Sequence, residues 1–263
     1  MNCTDIHAID VHAHYGLYLN RDHDLMNKFM SATPAEIVRR AQMANIRLTM
    51  VSPLAALMPR LHADPLSANR DAAQVVAETV GLLQWVVVDP LKPQTYKQAG
   101  QMLAGAKCAG IKIHPEEHGY RIAEHGEAIF AFAASHKAII QSHSGEENSM
   151  PEDFVQFAND FPEVTLILSH LGCNTDGDPT HHVRAIQSAR HGNMFTDTSS
   201  ANSIMPNMIE WAAGEIGQNR ILFGTDSPCY FAPMQRARID NAEMSDEAKR
   251  LILYENAVRL FKL

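Results

Sequence analysis

Cysteine is scarce in this sequence. There are four in 263 residues, Cys3, Cys108, Cys173 and Cys229, and no Cys-x-x-Cys pair. That usage argues against a disulfide framework or a thiolate zinc cluster and fits reduced thiols in a cytoplasm. Basic runs are missing as well. Lys and Arg number 22 against 30 Asp and Glu, a formal net charge of -8, so a nucleic-acid partner is not expected. No apolar run approaches ~20 residues, which leaves no candidate membrane span. The opening MNCTDIHAID lacks the basic-then-apolar order of a signal segment. No Gly-x-Gly-x-x-Gly follows the first strand-like segment, so an open dinucleotide-binding sheet has no support.

Apolar content is ample. At 46% hydrophobic residues, the chain can bury a sizeable core. Eight short, β-branched-rich segments stand out: Ile6–His14, Ile46–Ser52, Leu83–Asp89, Gly110–His114, Ala138–His143, Thr165–His170, Met194–Thr198 and Ile221–Asp226. WVVVD, GIKIH, AIIQSH and TLILSH are near-continuous apolar runs with a polar last residue, the pattern of parallel strands buried on both faces. Helical spacing fills the intervals. Thr33–Glu36 reads as a capping box with Pro34 at the first helical position, and Ser245 as the cap of a final helix SDEAKRLILYENAVRLF. From the third strand on, strands recur every ~25–30 residues, as βαβ units require. The expected fold is a single α/β domain over residues 1–263, a (β/α)₈ TIM barrel. The longer connections after strands one and two, Tyr15–Ala32 and Pro53–Asn69, would lie over the barrel mouth and could form a lid.

The polar residues that end these strands carry the chemistry. In IHAIDVHAH, alternation places Asp10, His12 and His14 on one face and Ile9, Val11 and Ala13 on the other. Strand four carries Lys112 and His114, strand five ends in His143, strand six in His170 and strand eight in Asp226. In a barrel all of these ends converge on one mouth, where the active sites of this fold lie. Several imidazoles and a carboxylate there make a metal site with room for a water.

DVHAH, AGIKIHP, IIQSHSG, FPEVTLILSHLG, RILFGTDSP and ENAVRLFKL together resemble the amidohydrolase superfamily, in its amidohydrolase 2 branch, over nearly the whole chain. That branch holds metal-dependent TIM-barrel hydrolases, lactonases and non-oxidative decarboxylases. The resemblance implies His12, His14, His143 and Asp226 as metal ligands, with Asp226 also catalytic and His170 the acid/base or carbonyl-polarising residue. It implies Zn²⁺ or a similar divalent ion, one per chain. In binuclear relatives a carboxylated strand-four lysine bridges two metals, and Lys112 could play that part. Otherwise Lys112 would be an interior lysine paired with Asp10 or another carboxylate. Asn256 and Ala257 are expected to pack against the barrel.

The expected activity is hydrolysis of a small, possibly carboxylated, lactone- or amide-type substrate. Water at the cation would become acidic, and Asp226 would carry its proton from nucleophile to leaving group. The alternative is metal-dependent decarboxylation of an aromatic or unsaturated carboxylic acid. A TatD-like nuclease or phosphoesterase is a further alternative, disfavoured by the acidic charge and by Lys112 where those proteins carry Glu. A catalytically retired ligand-binding barrel is the last. Tyr15, Arg60, Lys112 and His114 are the weaker substrate-binding candidates. The expected partner is a small molecule, with no nucleic acid and no membrane, and a homo-oligomer is compatible with the sequence.

Overall fold

Runs rich in Val, Ile and Leu, each closed by a polar residue, become the staves of a ring. In the computed structural model, residues 5–19 and 24–263 are described. The strands are β1 (Ala8–Tyr15), β2 (Ile46–Pro53), β3 (Leu82–Val87), β4 (Cys108–Ile113), β5 (Ile140–Ser142), β6 (Leu166–Leu168), β7 (Met194–Asp197) and β8 (Ile221–Leu222). All pair in parallel with their sequence neighbours, in the order β1 to β8. The ring closes between β1 and the segment that follows β8. Val11 N donates to Phe223 O at 2.9 Å, Asp226 N to His12 O at 2.7 Å, and Ala13 bridges Ser227 in parallel. With helices between the strands, this is the (β/α)₈ TIM barrel that the sequence predicts.

Inside the ring, Ile9, Val11, Met50, Trp85, Ile167, Phe195 and Leu222 form one buried cluster. Residues from strands all round a ring can meet only in its interior. Trp85 Nε1 donates to Val11 O at 2.8 Å, and so does the amide of Gln141, also at 2.8 Å. Ala257 of the last helix, Asn256–Phe261, belongs to the same cluster. Its neighbour Asn256 donates to the carbonyls of Gln218 and Ile221, both at 2.8 Å, and so holds the start of β8. Both residues therefore pack against the barrel as expected. A second large cluster, including Ile111, Ile140, Leu166 and Phe130, lies between the strands and the outer helices.

The local signals that drew the helices hold. Thr33 and Glu36 form the capping box, with Thr33 N donating to Glu36 Oε2 at 2.7 Å, and Ser245 caps the helix that begins at Asp246. The final helical stretch is not uniform. Its middle, Leu251–Glu255, winds as a π-helix. β1 departs from simple alternation too. Its register with β2 shifts between Asp10 and Ala13, so Ile9 and Val11 pack inside the ring while Ala13 and Tyr15 pack outward with Ile37 and Val76. One extra residue in a strand re-aims the side chains after it. No helix of the described residues is long and apolar enough to cross a membrane.

Candidate metal centre

The β1 shift brings His12 and His14 onto the same side of the ring floor, with Nε2 atoms 3.2 Å apart. The opposite nitrogens decide what those atoms are. His14 Nδ1 lies 3.2 Å from the Ser52 carbonyl, which can only accept, so Nδ1 carries the hydrogen. His12 Nδ1 faces Asp197 Oδ2 at 3.1 Å and carries its hydrogen for the same reason. Both Nε2 atoms therefore offer lone pairs inward. Asp226 Oδ1 completes the cluster, 3.1 Å from His14 Nε2 and 3.6 Å from His12 Nε2. The donor set of two imidazoles and one carboxylate suits a divalent cation.

Asp226 stays ionised for this purpose. Burial alone would raise its carboxyl, but the histidines around it, His14 first and then His12 and His170, outweigh burial and hold it at about 2. Burial, then the Lys112 charge, holds His12 at about 3, in its neutral, metal-binding form. His170 stands next to His12, ring centroids 4.8 Å apart. Its Nδ1 donates to the Ser199 carbonyl at 2.8 Å, so its Nε2 is the free acceptor. Burial, then His143, holds it at about 4. His170 and Asp226 both follow their strands in the left-handed backbone region, at φ 73° and 52°. That conformation is uncommon for a side-chain-bearing residue and clusters at functional sites.

Lys112 is fully buried, and its Nζ lies 3.1 Å from His12 Nε2. It does not pair with Asp10. The Asp10 carboxylate is taken by Thr225, whose N and Oγ1 donate at 3.0 and 2.6 Å, and by His12 N at 3.1 Å. Burial lowers Lys112 to about 8 against the pull of Asp197 and Asp226.

Among the described residues, His143 joins neither of the two tight groups of ligating atoms. It stacks on His114, centroids 4.2 Å apart, and its Nε2 faces Glu146 Oε1 at 3.4 Å. His114 caps a short helix, accepting from Glu117 N at 3.3 Å. A cavity of about 260 Å³ opens above these residues. His12, His14, His114, His143, His170 and Asp226 line it, with Arg60, Glu117, Glu146, Tyr230 and the apolar Met30, Leu54, Leu57 and Met58. Tyr18 and Met30 after β1, and Leu54, Leu57, Met58 and Arg60 after β2, thus reach the mouth, as the lengths of these connections suggest. Arg60 is paired with Glu117 at 2.9 Å. Tyr15 does not line the cavity, because it follows His14 and alternation turns it outward into the helix-facing core.

This arrangement sits on a chain whose residues 9–263 match the amidohydrolase family. The chain belongs to that family. No curated protein sequence matches it. Solved structures do, at low identity, and they share its fold. A 5-carboxyvanillate decarboxylase from Sphingomonas paucimobilis is 12% identical at a TM-score of 0.74, covering 97% of this chain and 99% of that one. A 2,6-dihydroxybenzoate decarboxylase in complex with 2,6-dihydroxybenzoate is 13% identical at 0.75, covering 97% and 98%. A dihydroxybenzoic acid decarboxylase from Polaromonas sp. JS666, with bound manganese and the inhibitor 2-nitroresorcinol, is 16% identical at 0.74, covering 100% and 98%.

In this amidohydrolase-family chain, sequence reasoning passes over Asp197, Ser199 and Ser52. Asp197 ends β7 inside FTDTSS, a carboxylate among hydroxyls at a strand end, and that position is the one available signal. His181 lies outside the cavity. Its Nδ1 is 2.7 Å from Glu152 and its Nε2 2.9 Å from Asp176, while Arg184 binds Glu152 and Asp178. Burial lowers His181, but the two carboxylate hydrogen bonds outweigh it and the net shift is upward. A raised histidine contributes stability that is full below its unfolded pKa and lost as pH climbs through the folded one. Melting wild type and His181→Ala from about pH 6 to about pH 9 should therefore show a Tm gap that narrows upward from the ordinary histidine pKa of about 6.5. Partly exposed carboxylates limit its size. A gap that widens with pH would contradict the imidazolium clamp.

Proposed function

We propose that the chain is a single-domain, metal-dependent decarboxylase that releases CO₂ without oxidation from a small aromatic or unsaturated carboxylic acid. The observation that carries this is the converging donor cluster His12, His14 and Asp226, which could hold a cation, in a cavity of about 260 Å³ that Met30, Leu54, Leu57 and Met58 also line. A cation beside apolar side chains suits a small apolar body with an anionic end. The likeness in fold to decarboxylases along the full chain supports the same reading. His12, His14 and Asp226 would hold the ion, zinc or manganese, and His143, which lines the same cavity, would be the fourth ligand if its ring turned toward them. When bound, the ion supplies positive charge that neutralises and orients the substrate carboxylate.

The chain's own residues then have defined tasks. Met30, Leu54, Leu57 and Met58 seat the apolar body and keep water away. His170 Nε2 and the Asp226 carboxylate, both open acceptors, take a proton from solvent water and pass it to the substrate carbon. The C–C bond to the carboxylate breaks, its electron pair ends in the new C–H bond, and CO₂ leaves. No oxidant or reductant is needed. Clustering of all three donors on the His12–His14 side, with Lys112 Nζ bonded to His12, favours one ion over a lysine-bridged pair. Asp226 beside the ion also suits the second reading, hydrolysis of a lactone or amide through an activated water.

The test is a panel of aromatic carboxylates, lactones, amides and phosphoesters, given to protein loaded with Zn²⁺ or Mn²⁺. CO₂ release with a protonated product supports decarboxylation. Hydrolysed product without CO₂ establishes the second reading, and phosphoester cleavage would overturn both. Elemental analysis of the same samples should give about one ion per chain.

A further inference from the structure

Asp197 touches neither the cavity nor the triad's inward face, yet it is wired to both proposed functional histidines. Its Oδ1 accepts from the backbone N–H of His170 and of Ser199, each at 3.0 Å, and from the Ser199 hydroxyl. Its Oδ2 accepts from His12 Nδ1 at 3.1 Å and from the Gln141 amide at 3.4 Å. Ser199 Oγ lies 2.9 Å from His12 Nδ1 and 2.9 Å from His170 Nδ1. The hydroxyl thus fills the point on which His12, His170 and Asp197 converge, which makes that second group a hydrogen-bond hub and not another ion site.

We propose that Asp197 is a positioning residue that locks His12 in its Nδ1–H tautomer and thereby keeps the His12 Nε2 lone pair available to the cation. The inference rests on the assignment of His12 as a cation donor. The lock works because every group facing Asp197 is a donor. Two are backbone N–H groups that cannot reverse, and His12 Nδ1 meets the remaining oxygen.

Substitution by asparagine then has a definite outcome. The amide oxygen must stay on the Oδ1 side, where two fixed N–H groups need an acceptor. The amide NH₂ is left facing His12 Nδ1, which must now accept. His12 switches to Nε2–H and presents a hydrogen where a lone pair is required. Asp197→Ala imposes no tautomer and lets the cation select the correct one. Asparagine, closer to the native shape, should therefore be the more damaging replacement, an order that a purely packing role would reverse.

The experiment is two-bond ¹H–¹⁵N correlation spectroscopy on ¹⁵N-histidine-labelled protein, with Zn²⁺ and Mn²⁺ titrations of wild type, Asp197→Asn and Asp197→Ala. Wild-type His12 should show Nδ1–H and Asp197→Asn should show Nε2–H. Asp197→Ala should lose about 10–100-fold in ion affinity, the usual range for such outer partners, and Asp197→Asn more. Wild-type His12 in the Nε2–H form overturns the proposal without any variant, so a misfolded Asp197→Asn does not shelter it. An inverted tautomer with near-wild-type ion affinity, or alanine worse than asparagine, also overturns it. A wild type that binds neither ion overturns the cation assignment instead, while the tautomer spectrum still judges the hub. None of these readouts depends on a substrate or on which reaction the site performs.

Discussion

Asp226→Asn should lower turnover of an accepted substrate by ~10²–10⁴, the range for loss of a group that carries the reacting proton. The change keeps the shape and removes both the charge and the proton affinity. Its second effect is on the ion. Among the described residues, Asp226 Oδ1 is the one carboxylate oxygen within 3.6 Å of both Nε2 atoms of the pair, and an amide oxygen is a poorer ligand. Metal content should therefore fall with activity. Saturating metal should restore occupancy but not rate, because the proton carrier is still missing. Steady-state kinetics at rising Mn²⁺ separates the two losses. Full recovery of turnover would assign Asp226 to metal binding alone.

His170→Asn should fall as far in turnover and keep its ion. His170 Nε2 lies outside the His12–His14–Asp226 group, so metal content should match wild type while the chemical step slows by ~10²–10⁴. The loss should appear in single-turnover rates, with substrate affinity little changed. If one of two ions leaves with the histidine, the site is binuclear and the lysine-bridged arrangement is restored. Unchanged turnover in both variants would sink the proton-carrying roles altogether.

Much of this was legible in the chain because parallel strands buried on both faces need continuous apolar runs. GIKIH, AIIQSH and TLILSH could be little else, and a polar residue at each end marks where the core stops. The functional residues were legible for the same reason, although His143, His170 and Asp226 lie one to four residues beyond the strands themselves. What the sequence hid was register. IDVHAHY alternates perfectly on paper, so nothing in it announces the shift between Asp10 and Ala13. Tyr15 reads as a loop residue after a strand ending at His14, whereas β1 runs through it and turns it outward. Asp197 was hidden for another reason. Its meaning depends on a histidine 185 positions away, and no local pattern encodes that pairing. Lys112 was expected to pair with Asp10 or another carboxylate, but Thr225, on the neighbouring segment at the seam, takes Asp10, and Lys112 Nζ sits against His12 Nε2 instead.

The seam of the ring has a consequence for how the chain is made. Val11, His12 and His14 meet Phe223, Asp226 and Ser227 by main-chain hydrogen bonds, and Asp10 binds Thr225 across 215 positions of sequence. The same few residues supply the cation donors. A ribosome that has delivered β1 through β7 has made His12 and His14 but not the carboxylate that completes the triad, nor the contacts that aim it. Contacts of such separation form late, after the local ones. High-affinity ion capture therefore waits for the final strand, and an ion that binds only the closed ring favours closure by mass action. The metal would act as a latch on a finished barrel, and a chain truncated before residue 221 should pass through a chelating column unretained by this site.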